Sequence, residues 1–66
     1  MRGDDIKIYE GMQVKILLSN NFIYSCLVQS VEGDCVRILD KFSKQITISA
    51  AAIAMITPIS EAKNGN

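Results

Sequence analysis

Two groups of residues in this chain could do chemistry. The first is a pair of thiols, Cys26 and Cys35, in a sequence with no histidine. A nucleophilic cysteine needs a neighbouring cation or base to lower its pKa, and neither has one nearby in sequence, so each reads as a small hydrophobe in a strand. Their spacing is not the paired pattern of a zinc site. No general base, no glycine-rich phosphate loop after a strand and no facing pair of carboxylates is present. The expectation is therefore a protein that is not an enzyme and holds no metal or cofactor. Met12 and Met55 read as packing residues.

The second group is Lys41, Phe42 and Lys44, in the stretch Asp40-Lys41-Phe42-Ser43-Lys44. An aromatic ring between two cations is what single-stranded nucleic acid uses, charge for the backbone beside a surface for stacking a base. The competing reading is a solvated loop whose Phe42 tucks onto the end of the domain. Arg37, on the outward side of the preceding strand, joins the same patch or pairs with a neighbouring carboxylate. Asn21 offers hydrogen bonds to a base, although Asn20 and Asn21 are also explained by a turn.

Strands must position these residues. Gln13 to Leu18 alternates Val14, Ile16 and Leu18 on one face with Lys15 and Leu17 on the other, the period of a half-buried strand. Ser19-Asn20-Asn21 supplies turn chemistry. Phe22 to Val31 is a second, long strand, expected to bend at the small residues Ser25 and Cys26. It turns about Glu32-Gly33-Asp34 into Cys35 to Asp40, with Val36 and Ile38 inward. That hairpin places Cys35 opposite Val31 and Cys26 opposite Asp40, too far apart for a disulfide. Gln45 to Ser49 alternates again, Ala50 to Ala52 reads as a 3₁₀ turn, and Ile53 to Thr57 is the last strand, ended by Pro58 or running along an edge. Before the first strand, Met1 to Asp5 reads as frayed. Ile6 to Glu10 is either one helical turn or, preferred for its isoleucines and tyrosine, extended chain. The organisation expected is an N-terminal segment over 1–12, a barrel over 13–59 and a disordered polar tail over 60–66. The fold class is all-β, a five-stranded SH3-like small barrel with a strongly bent second strand.

A chain of 66 residues makes one domain and buries only about 60% of its unfolded surface. Its hydrophobic fraction of 48% is more than so small a core hides easily, which favours self-association. Outward Leu17, Ile23 and Leu27 read as an interface, or as the surface onto which the N-terminal segment folds back. Seven basic residues balance seven acidic ones, so the chain lacks the basic excess of many nucleic-acid binders. Two unpaired thiols and no long apolar segment point to the cytoplasm and away from membranes.

The run VKILLSNNFIYSCLVQSVEGDCVRIL, a polar loop, and QITISAAAIAMITPI together resemble the Sm-like family, and within it the bacterial Hfq-type RNA chaperones more than the eukaryotic Sm proteins. The likeness lies in a first strand ending near Asn20, a long second strand with an acidic residue near its end, and Ala52-Ile53 opening a short strand that ends in Pro58. The resemblance implies a homo-oligomeric ring of about six or seven subunits, closed by pairing the fourth strand (Gln45, Ile46, Thr47, Ile48) with the next copy's fifth (Ile53, Met55, Ile56). It also implies binding of single-stranded RNA. Where Hfq-type members carry Tyr-Lys-His before the closing Ala-Ile, this chain has Ser49-Ala50-Ala51, and the hairpin tip holds carboxylates that repel phosphate. Two functions follow from these residues: a ring-forming Sm-like protein that binds single-stranded RNA, or a homo-oligomeric protein-interaction module that does not. A more distant likeness, to carbon-storage-regulator dimers, rests on VEGDCVRI followed by Ile46 to Ile48 and lacks that family's N-terminal strand.

Overall fold

Five strands form one antiparallel sheet in the order β4-β3-β2-β1-β5 in the computed structural model, which describes residues 1–59. They are β1 (Gln13–Leu18), β2 (Ile23–Glu32), β3 (Cys35–Asp40), β4 (Gln45–Ser49) and β5 (Ile53–Pro58). The sheet is the small all-β barrel that the alternating pattern predicts. Its core is built from inward positions two apart, Val14 and Ile16 of β1, Cys26 and Val28 of β2, Val36 and Ile38 of β3, all essentially inaccessible. The outermost strands, β4 and β5, are joined by the 3₁₀ turn Ala50–Ala52 and do not pair with each other. The barrel thus leaves two hydrogen-bonding edges open. Pro58 sits within β5 opposite Val14, on such an edge. The predicted polar tail, 60–66, lies outside the described residues.

The break in β2 falls later than expected. Pairing with β3 holds from Cys26 opposite Asp40 to Val28 opposite Ile38, slips at Gln29, and resumes with Ser30 opposite Arg37. The extra residue reverses the side-chain alternation, so Val31 rather than Ser30 turns inward. It also places Cys35 opposite Glu32, not Val31, while keeping Cys26 opposite Asp40. Both thiols are free, Cys26 buried and Cys35 exposed. Two bonds from outside the strand flank the slip. The Glu10 carboxylate accepts from the Val31 N–H at 2.7 Å, and the Gly11 N–H donates to the Val28 carbonyl, also at 2.7 Å. Gly11, at φ +83°, supplies the left-handed turn this needs.

The N-terminal segment is helical, contrary to the preference for extended chain. Gly3–Ile6 forms one α turn, α1, followed by a 3₁₀ turn over Lys7–Tyr9. Nor is Met1 to Asp5 frayed: the Met1 amine donates to the Ala50 and Ile53 carbonyls at 3.0 Å each, Gly3 is buried, and Ile6 is fully buried in the barrel core. So short a helix has no stability of its own; packing of Ile6 holds it. Gly3 rests on the hairpin tip so closely that a Cβ there would overlap the Gly33 carbonyl oxygen. The segment folds back onto the tip end of the barrel, and Ile23 stays 61% exposed.

Candidate nucleic-acid interface

The tip is a two-residue turn, with Gly33 at φ +58° in the first central position, which type II′ hairpins give to glycine. From it β3 runs six residues, roughly 20 Å, to Asp40 at the other end of the barrel. There the loop 41–44 is folded around one carboxylate. Asp40 Oδ1 accepts from the Phe42 and Lys44 N–H groups, both at 2.8 Å. The Asp40 N–H donates to the Lys44 carbonyl and the Ser43 N–H to the Asp40 carbonyl, each at 3.0 Å. These bonds carry the chain through a left-handed Ser43, φ +65°, and fix the backbone from which Phe42 projects.

Phe42 is accordingly 73% exposed, against the reading in which it tucks onto the barrel end. The Lys41 ammonium lies 5.5 Å from its ring centroid. Beside the loop, the start of β2 exposes Phe22 and Ile23, and the Phe22 and Tyr24 rings stand 6.3 Å apart, tilted. A groove of about 160 Å³ runs between the two, lined by Ile23, Tyr24, Ser25, Asp40, Lys41 and Phe42. It adjoins a second depression that shares Ser25, Asp40 and Lys41 with it and is walled by Leu27, Leu39 and Gln13.

Three of the expected residues, Lys41, Phe42 and Lys44, are therefore brought together, and two are not. Arg37 lies mid-strand, opposite Ser30 and Thr47, with its guanidinium 3.9 Å from Glu32; it pairs with the tip rather than joining the loop. Asn21 is the left-handed residue of the β1–β2 turn, φ +73°, and its N–H donates to the Leu18 carbonyl at 2.9 Å. Asn20 Oδ1 completes that turn by accepting from the Phe22 N–H. Sequence reasoning missed Lys15. It sits on β1 directly opposite Ser25, next to the groove, and only the cross-strand register reveals that. Among the described residues the only ion pair is Arg37 with Glu32, so Lys15, Lys41 and Lys44 all keep their charge unpaired.

Acidic groups collect at the opposite end. Glu32 and Asp34 belong to the tip, where Asp34 accepts from the Ser49 hydroxyl and the Ala50 N–H. Asp4 and Asp5 ride on α1, which packs there, and Glu10 reaches Val31. Arg2, Lys7 and Arg37 lie among those carboxylates, while at the loop end Lys41 and Lys44 flank one carboxylate, Asp40, so within a chain of zero net charge the loop end is locally basic.

The expected interface residues divide by side chain and backbone. Ile53 and Ile56 face the core, so only their backbones are available for contact; Ile46 and Ile48 are half-buried against it. Gln45 and Thr47 are exposed, with Gln45 bonded to Gln29. Ile23, Leu17 and Met55 form a cross-strand row over β2, β1 and β5 beside a shallow apolar groove. Leu27 lies half-buried opposite Gln13 and Leu39. Cys26 cannot serve as a nucleophile: burial, with the facing Asp40 charge in second place, raises its pKa to about 11, leaving the thiol protonated at neutral pH.

Fold and site together define a five-stranded small barrel with two open edges and one basic, aromatic end. Compared with family models, with curated proteins and with solved structures, the chain matches none. Among the described residues no helix is long and apolar enough to cross a membrane.

Proposed function

We propose that this chain is a ring-forming Sm-like protein that binds single-stranded RNA through the loop end of its barrel. The observation that carries the binding is Phe42, 73% exposed beside Lys41 and Lys44 in a loop whose backbone is bonded around Asp40. The open edges of β4 and β5 support the ring, since pairing between copies satisfies both and repeats the lysines around one rim. Repetition also answers the neutral composition, because several weak sites on one strand multiply avidity. Two unpaired thiols, one of them exposed, support the cytoplasm as the place of action.

The test is retardation of single-stranded RNA at ~50 mM salt, followed by a salt titration. Each phosphate contact on a single strand contributes about 0.7 to the slope of log affinity against log salt, so Lys41→Ala and Lys44→Ala are each expected to flatten it by about that much. No binding at low salt would end the RNA reading. The apolar row Ile23, Leu17 and Met55 would then favour the second one, an interaction module that docks protein rather than RNA.

A further inference from the structure

Resting on the RNA reading above, the geometry points to a base-selective pocket: the groove between Ile23 and Phe42 takes one unpaired base bearing an exocyclic amino group, so adenine, cytosine and guanine all fit in preference to uracil, and adenine and cytosine serve as the probes. The stacking surfaces are the Phe42 ring and the Ile23 side chain, both largely exposed, across a space of about 160 Å³. Between them the groove is lined by Ser25 and Asp40, which carry a hydroxyl and a carboxylate. A carboxylate only accepts hydrogen bonds, and has about four lone-pair sites to do so. In Asp40 the two backbone N–H groups of the loop occupy Oδ1, and no hydrogen bond among the described residues engages Oδ2. An acceptor held in place by the loop it caps, with one oxygen unused, matches an amine donor. Uracil offers one N–H flanked by two carbonyls, which face the same negative charge. The phosphates on either side fall to the unpaired lysines, Lys41 on the groove wall and Lys15 opposite Ser25. The adjoining depression beside Leu27 and Leu39 gives the next nucleotide an apolar surface without a ring.

Asp40→Asn separates the two jobs of this side chain. An asparagine carbonyl still accepts both loop N–H groups, so the loop keeps its shape, while the second position changes from acceptor to amide donor. The experiment measures fluorescence anisotropy of labelled oligo(A), oligo(C) and oligo(U) RNA at ~50 mM salt. The wild-type chain is expected to bind oligo(A) and oligo(C) about tenfold more tightly than oligo(U), the scale of one hydrogen bond to a charged group. Asp40→Asn is expected to erase or reverse that order. Phe42→Ala, which leaves Asp40 in place, should weaken oligo(A) and oligo(C) by about tenfold or more through lost stacking, which keeps the pocket testable if the Asp40 variant misfolds. Equal affinity for all three RNAs, still dependent on Lys41 and Lys44, overturns the base pocket and leaves the RNA reading standing. A preference that a folded Asp40→Asn variant leaves unchanged overturns the role of Asp40. Failure to bind any of them overturns both.

Discussion

Gly3→Ala puts two physical effects of opposite sign into one substitution. Gly3 opens α1, and alanine is favoured over glycine in a helix by up to about 1 kcal/mol, so propensity alone predicts stabilisation. Packing predicts the reverse. The new Cβ would overlap the Gly33 carbonyl oxygen and lie 2.9 Å from its carbon, and both atoms are backbone, unable to swing aside as a side chain would. Relief requires α1 to lift from the hairpin tip, exposing Ile6, whose full burial is worth about 1.5–3 kcal/mol. Set against the propensity gain, the net expectation is a loss of about 0.5–2 kcal/mol. A domain of 66 residues has a total stability of about 3–10 kcal/mol, so the change is large enough to measure. With a urea m-value near 1 kcal/mol/M, the midpoint should fall by about 0.5–2 M. The assay is urea unfolding followed by far-UV circular dichroism, at one fixed protein concentration because the proposed self-association would add its own stabilisation. A midpoint that rises refutes the packing account and shows that α1 is not seated on the tip. Gly33→Ala meets no atom within 4 Å and should cost about 1–2 kcal/mol through its left-handed φ alone.

Other substitutions and conditions test separate parts of the structure. A thiol reagent should modify Cys35 and spare Cys26 in the native protein, and modify both in denaturant; two reactive native thiols would contradict the burial of Cys26. Because the folded pKa of Cys26 is raised, to about 11, the native state holds its proton more tightly than the unfolded chain. That stability is fully present below about pH 9 and is lost as pH rises from there towards 11, by up to roughly 2–3 kcal/mol; urea midpoints measured across that range should fall, and Cys26→Ala should remove this component. Met55→Glu places a charge beside the open β5 edge and the apolar row, so native mass spectrometry should show smaller assemblies than for the wild-type chain, and an unchanged subunit number would exclude that edge from the interface.

Much of the barrel is legible in the residue order because its signals are local. Alternation in Gln13 to Leu18 and in Gln45 to Ser49 states which side chains face inward, and Asn21 and Gly33 mark turns through the left-handed conformations they tolerate. The loop residues Lys41, Phe42 and Lys44 were recognisable as a possible site for the same reason, being adjacent in sequence. The misplaced bend in β2 shows where such reading stops. Nothing in Ser25 or Cys26 was wrong for a bend, but the extra residue falls at Gln29, where Glu10 and Gly11, far away in sequence, bond to the flanking Val31 and Val28.

What the sequence by itself determined is the set of strands, their faces up to Val28 of β2, and a turn near Gly33, all consequences of a two-residue period and of backbone preferences that act within a few positions; the register at the tip was not among them. Only tertiary structure decided the rest, because each remaining feature depends on residues brought together from distant parts of the chain. Ile6 is helical because the barrel offers it a core site, Phe42 stands in a loop that Asp40 binds around itself, and Lys15 comes beside the groove through its register with Ser25. Zero net charge, read from composition, argued against nucleic acid. The folded chain brings Lys41 and Lys44 around the single carboxylate of Asp40, with Lys15 across the sheet from Ser25, so among the described residues one end is locally basic within a neutral chain.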